Sequence, residues 1–167
     1  MSRFLTIFSL VTAVLFGLEM LNPVQIAVIE PWTNGLARLS AWLMKIFDAD
    51  VISNGRVLQS QRSGLGVSIE AGCNGVEAAI ILIGGVLAFP APWWNKMIGI
   101  FMGVAAVQAA NVLRVISLFY LNMWSKEAFD FAHLYLWQAL IMLDVLIVWL
   151  LWMRSVARRA GFDLVAA

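Results

Sequence analysis

Long runs without charge constrain this chain more than any other feature. A bilayer-crossing helix needs about 20 mostly apolar residues, and four segments approach that length. Phe4 to Leu18 is charge-free and stays apolar to about Leu21. Val76 to Phe89 is halted by Pro90-Ala91-Pro92, and Trp93, Trp94 and Lys96 then supply an interfacial edge. A third run starts near Met97, is charge-free to Leu113, and reads as helix to about Trp124. After a polar link over 125–132, the fourth runs from about Leu134 to Met153 and ends in Arg154, Arg158 and Arg159. With their aromatic flanks the expected spans are about 4–21, 76–94, 97–120 and 134–153. The chain is 62% hydrophobic and 13% charged, against about 25% charged in a soluble domain. It therefore reads as an all-α polytopic membrane protein with four transmembrane helices, one membrane domain over 1–167. The first run follows Arg3 as a signal peptide would, but no A-x-A-like cleavage site follows it, so a retained helix is expected.

The only long extramembrane segment is about 22–75. Pro31-Trp32-Thr33-Asn34-Gly35 reads as a turn. Leu36, Leu39, Leu43, Ile46 and Phe47 then recur at helical spacing, predicting an amphipathic helix lying on the membrane or on the spans. Asn54-Gly55, between Val51-Ile52-Ser53 and Arg56-Val57-Leu58, predicts a short β-hairpin, and Val67 to Glu70 a third short strand. Gly99 and Gly103 form a small-xxx-small face for close helix packing. Basic residues divide evenly between the two sides. Arg3, Lys96, Arg154, Arg158 and Arg159 hug the span ends with only Asp163 among them. Arg38, Lys45, Arg56, Arg62 and Lys126 are diluted by acids. The positive-inside rule weights bases near spans, which places both termini in the cytoplasm and the 22–75 segment extracytoplasmic. With a net charge of +1, nothing points to nucleic acid.

Three chemically distinctive residues share one face of this topology. Cys73 is the only cysteine and precedes the second span; His133 is the only histidine and precedes the fourth. Arg114 is the one arginine inside an apolar segment and lies about 25 Å up the third span, near its outer end. Parity therefore brings a thiol, an imidazole and a guanidinium to the same membrane boundary. Asn74-x-x-Glu77 resembles a capping box that leaves Cys73 at the positive end of the second helix, where its pKa would fall. Gly72 and Gly75 leave room for a sharp turn and close substrate approach. His133 suits proton transfer, and Arg114 suits stabilisation of a thiolate or oxyanion. Bland readings stand beside these. A lone membrane Cys is most often packing, and a span-edge His is usually an interfacial polar residue. Arg114 has the option of snorkelling or pairing with Asp144. Gln108, Asn111, Gln138 and Asp144 have the option of serving as interhelical glue. A non-enzymatic assembly subunit and a Cys/His lipid acyltransferase are the other function classes left open. No CxxC, HExxH or GxGxxG occurs, so neither metal nor cofactor is expected.

Ala71-Gly72-Cys73-Asn74-Gly75-Val76-Glu77, then Asn111-Val112-Leu113-Arg114-Val115, then an isolated His133 before the last span, resemble the exosortase/archaeosortase family. The resemblance covers about residues 50–153. Many members carry Cys-Ser-Gly where this chain has Cys73-Asn74-Gly75, and many have more N-terminal spans; the compact H-type exosortases are most similar. The resemblance implies a membrane cysteine endopeptidase/transpeptidase of the bacterial inner membrane. Its partners would be membrane-anchored proteins with a C-terminal sorting signal of motif, transmembrane helix and basic cluster. It implies Cys73 as nucleophile, His133 for proton transfer and Arg114 as stabiliser, with Asn74, Gly75, Glu77 and Asn111 supporting them.

Overall fold

The computed structural model describes residues 2–159. Asp163, which entered the charge balance, lies outside the described residues. Helix α1 spans Ser2–Glu19 and packs along α4 (Val76–Ala88). Helix α5 (Trp93–Trp124) packs between α4 and α7 (Trp137–Arg159). Three helical stretches are long and apolar enough to cross a membrane: Ser2–Glu19, Trp93–Trp124 and Lys126–Arg158. Leu10, Phe101, Met102, Leu113, Leu134 and Leu151 lie exposed on their outer faces. In a membrane these faces meet lipid, which is as apolar as they are. The protein is a mostly helical, multi-pass membrane protein with one small sheet.

The second apolar run ends as a helix within one residue of the expected Phe89, but well short of the 76–94 span. Helix α4 ends at Ala88, because Pro90 and Pro92 supply no N–H to continue it. Its 13 residues rise only about 20 Å. Trp93 and Trp94 belong to the next element: they open α5, 32 residues of unbroken helix. Lys96 donates to the Leu87 carbonyl at 2.7 Å, placing a cation on the open C-terminal end of α4. The Gly99/Gly103 face is used as expected. A Cβ at Gly99 would run into the Trp152 indole of α7, and one at Gly103 into Leu82 of α4 at 2.6 Å.

The link over 125–132 is helical rather than irregular. Ser125 caps α6 (Lys126–Phe131) by accepting from the Ala128 N–H. A π-helical turn, Ala132–Leu136, joins α6 to α7. The fourth apolar run is thus the body of one longer helical rod.

The 22–75 segment differs most from expectation. Asn22–Val24 (α2), a π-turn over Gln25–Ile29 and α3 (Glu30–Met44) follow one another without a break. Pro31-Trp32-Thr33-Asn34-Gly35 is therefore helix, not turn. Pro31 sits in the first turn of α3, and the π-turn before it loosens the ladder where proline lacks its donor. Helix α3 buries Thr33, Leu36, Ala37, Ser40, Ala41 and Met44 against α5 and the sheet. Leu39 is exposed, and Ile46 and Phe47 lie exposed beyond the helix end. Leu36 and Met44 pack inward together with the small residues Ala37, Ser40 and Ala41, whereas Leu39, Ile46 and Phe47 face outward.

Strands β1 (Val51–Asn54), β2 (Val57–Ser60) and β3 (Gly66–Ser68) form an antiparallel sheet in the order β1-β2-β3. Asn54 pairs with Val57, so the two-residue hairpin loop is Gly55-Arg56 rather than Asn54-Gly55. Gly55 alone in that loop has positive φ, at 58°, as a II′-type turn requires of its first central residue. The third strand starts one residue earlier than expected and ends at Ser68. Val51, Leu58 and Ile69 close the core beneath the sheet with Met44 of α3 and Phe119 of α5.

Candidate functional site

The loop between β3 and α4 carries the thiol. Cys73 is half-buried, its N–H held by the Glu70 carbonyl at 2.9 Å. Arg114, from α5, reaches it and is 2% exposed. Its Nη1 donates to the Gly72 carbonyl at 3.0 Å and its Nη2 to Cys73 Sγ at 3.4 Å. It neither snorkels nor pairs with Asp144; among the described residues its partners are this loop. His133 sits in the π-turn of the last helical rod, its Nδ1 at 3.7 Å from Cys73 Sγ. Its ring stacks on Phe129, one helical turn earlier, with centroids 5.5 Å apart and planes 7° from parallel. The three residues that parity placed on one face thus meet at a single sulfur.

The turn into α4 is built differently from the expected capping box. The N-cap is Gly75, not Asn74, and its φ of 74° is a left-handed conformation. Asn74 is buried and its Oδ1 accepts from the Val76 N–H at 3.1 Å, two residues on. Its Nδ2 donates to Thr33 Oγ1 at 3.4 Å, and its carbonyl accepts from Trp32 Nε1 at 3.3 Å. Glu77 reaches back past the N-cap to accept from the Gly72 N–H. Gln108 Nε2 donates to the Gly75 carbonyl at 3.1 Å. A Cβ at Gly75 would lie 2.7 Å from Gln108 Nε2 and 3.0 Å from Asn111 Nδ2, so a side chain there would push on both amides as well as strain the left-handed backbone. Asn111 is fully buried beside this turn. Arg114, Gln108 and Asn111 all project from α5; the first two hold the loop by hydrogen bonds to the Gly72 and Gly75 carbonyls, and Asn111 packs beside it with both side-chain polar atoms unpaired among the described residues.

The electrostatics also depart from expectation. Burial pushes the Cys73 thiol up, Arg114 pulls it down, and Glu77 and Glu70 push it up, with a net rise. Desolvation and two nearby carboxylates together outweigh the one favourable charge. Arg114 is the one neighbour that works toward the thiolate.

Some contributors escaped the sequence reading. Phe129 orients the imidazole, while Trp32 and Thr33 clamp Asn74. Gln108 was weighed only as interhelical glue, yet it holds the backbone two residues from the thiol. An aromatic four residues before a lone histidine is a local signal for Phe129. Trp32 and Thr33, some 40 positions from Asn74, have none.

The thiol, imidazole and guanidinium line a common cleft of 270 Å³ with Ser68, Asn122 and Phe129. A group of three or more residues suited to holding a metal ion is absent among the described residues. No curated protein matches the chain, and no solved structure does. A family model described as transmembrane exosortase matches residues 2–149. That stretch takes in α1, the sheet, the Cys73 loop, Arg114 and His133, and so the whole of the cleft. By that match over most of its length, the chain belongs to the transmembrane exosortase family.

Proposed function

We propose that the chain is a membrane cysteine endopeptidase/transpeptidase that cleaves C-terminal sorting signals of envelope-targeted proteins through a Cys73 thioester. The observation that carries this reading is the convergence on one sulfur of His133 Nδ1 at 3.7 Å and Arg114 Nη2 at 3.4 Å. His133 takes the thiol proton, and the thiolate attacks the scissile carbonyl. Arg114 stabilises first the thiolate and then the oxyanion of the tetrahedral intermediate. His133 returns the proton to the leaving amine, which frees the membrane-anchored C-terminal piece and leaves an acyl thioester. An acceptor nucleophile (water, a lipid amine or a glycan hydroxyl) then releases the acyl group from sulfur.

The same reading makes α1, α4, α5 and the α6–α7 rod four spans of a bacterial inner membrane protein. Both termini lie in the cytoplasm and the segment 22–75 lies outside. Asn74, Gly75, Glu77 and Asn111 shape the thiol loop. The dedicated partner is a membrane-anchored substrate bearing the motif, the transmembrane helix and the basic cluster.

Replacing Cys73 with Ala should leave such substrates uncleaved while the variant still inserts in the membrane. Normal processing by a stably expressed Cys73→Ala variant would overturn the assignment. Mass spectrometry of a trapped intermediate separates the remaining classes. A peptidyl thioester on Cys73 supports the endopeptidase, a fatty-acyl thioester a lipid acyltransferase, and full tolerance of Cys73 and His133 substitutions an assembly subunit.

A further inference from the structure

Strand β3 is one of the two edges of the sheet, and the direction in which its backbone points follows from its hydrogen bonds. The Leu65 carbonyl accepts from the Ser60 N–H at 2.9 Å, and the Ile69 N–H donates to the Arg56 carbonyl at 3.0 Å. Val67 pairs with Leu58 between them. In an antiparallel ladder a residue directs its N–H and C=O to the same side, and the side alternates along the strand. Residues 65, 67 and 69 therefore face β2. Gly66 and Ser68 face away from it.

What they face is the cleft that holds the thiol. The Gly66 carbonyl accepts from Asn122 Nδ2 of α5 at 3.3 Å, which fixes the direction independently. Gly66, Ser68, Cys73, Arg114 and His133 line the same 270 Å³ space. Ser68 is exposed, and among the described residues its N–H and C=O have no protein partner; its Oγ is turned to Glu70 at 2.7 Å. Proteins ordinarily protect an edge strand with proline, charge or a covering element. Here, although α5 packs alongside β3, among the described residues only Asn122 hydrogen-bonds to its cleft-facing backbone, and at one carbonyl.

We propose that an extended segment of the substrate next to its scissile bond binds as a fourth strand on β3, pairing with Ser68. The inference rests on the endopeptidase reading and specifies how that site takes its substrate. A peptide backbone is the ligand whose donors and acceptors match a strand edge, and strand addition reads backbone before side chains. It also delivers the peptide extended, with alternate side chains to opposite faces of the sheet. Asn122 serves as a placeholder on the Gly66 carbonyl, which an incoming N–H displaces.

The test uses the full-length wild-type chain and Ser68→Pro in bilayer nanodiscs. The probe is the membrane-anchored protein that accumulates uncleaved in cells carrying Cys73→Ala. Ser68→Pro removes the cleft-facing N–H and fills its place with the ring, without removing a bond to β2. Its kcat/KM should fall about tenfold or more, while the rate of Cys73 alkylation by iodoacetamide, a small reagent needing no strand pairing, stays at the wild-type value. A second arm keeps the enzyme wild type and N-methylates successive backbone amides of a synthetic peptide copying the probe's cleavage region. Losses should fall on alternate residues. Equal tolerance at every amide, or wild-type turnover by Ser68→Pro, overturns the strand-addition proposal and leaves the endopeptidase reading standing. Normal processing by Cys73→Ala removes both.

Discussion

Two glycines flank the thiol, and the structure sets different penalties for filling them. Gly72 has a φ of 81° with open space where a Cβ would go; Gly75 has a φ of 74° with a Cβ position only 2.7 Å from Gln108 Nε2 and 2.9 Å from its Oε1. Gly72→Ala should cost only the left-handed backbone penalty, about 1–2 kcal/mol. Gly75→Ala incurs the same penalty and also drives Gln108 off the Gly75 carbonyl. The lost hydrogen bond adds about 1 kcal/mol and crowding about 1–3 kcal/mol. Gly75→Ala should therefore be roughly 2–4 kcal/mol the more destabilising of the two. Denaturant unfolding in one detergent, followed by tryptophan fluorescence, measures the difference. A third protein, Gly75→Ala with Gln108→Ala, removes the clashing atoms and should recover about 1–3 kcal/mol. Substrate processing should rank in the same order, because Gly75 lies two residues from the sulfur. Equal destabilisation by the two alanines, or no recovery in the double variant, would refute the idea that α5 crowds this turn.

Further outcomes follow from the same site. Burial holds the Cys73 thiol up and Arg114 opposes it, so alkylation should accelerate toward alkaline pH. The midpoint should move further up in Arg114→Gln and down in Glu77→Gln; a titration of iodoacetamide labelling rates reads both signs. Phe129→Ala loses the stack on His133, worth about 1 kcal/mol; turnover should drop severalfold to tenfold with membrane insertion intact, as an initial-rate assay would register. Gly99→Val should destabilise the bundle by about 1–3 kcal/mol through the Trp152 contact. Labelling of Cys73 in the folded variant should remain at the wild-type rate.

The order of the apolar helices, the hairpin and the meeting of Cys73, Arg114 and His133 were legible because each rests on a strong local signal. Charge-free runs fix the helices, Asn54-Gly55 fixes the hairpin to within one residue, and alternating helix direction fixes the shared face. Part of the α3 stripe was misread for a reason particular to membranes: Leu36 packs inward as expected and Leu43 lies against the core, but the other three do not. Periodicity of large apolar residues finds a buried face in water, but lipid is apolar too, and packed faces favour small residues. Leu39, Ile46 and Phe47 therefore marked the outer side, while Ala37, Ser40 and Ala41 packed inward. The turn reading of Pro31 to Gly35 failed because a π-turn just before Pro31 removed the conflict that proline usually announces. The thiol's electrostatics were misjudged because burial desolvates the sulfur and Glu77 and Glu70 bring their charges near it. Neither outcome is visible from spacing alone.

The π-turn at Ala132–Leu136 acts as a phase adjuster. Each residue of a regular helix advances about 100° around its axis, and a π-turn carries one residue more than an α-helical turn would. Phe129 and His133 are thereby set in one rotational phase and the packed face of α7, with Ile141 and Val145, in another. Deleting Leu134 would restore a plain α-helix and leave α7 seated, yet swing the imidazole about 100° away from the sulfur. The reach of His133 is then a property of helical register, which a side-chain substitution does not alter.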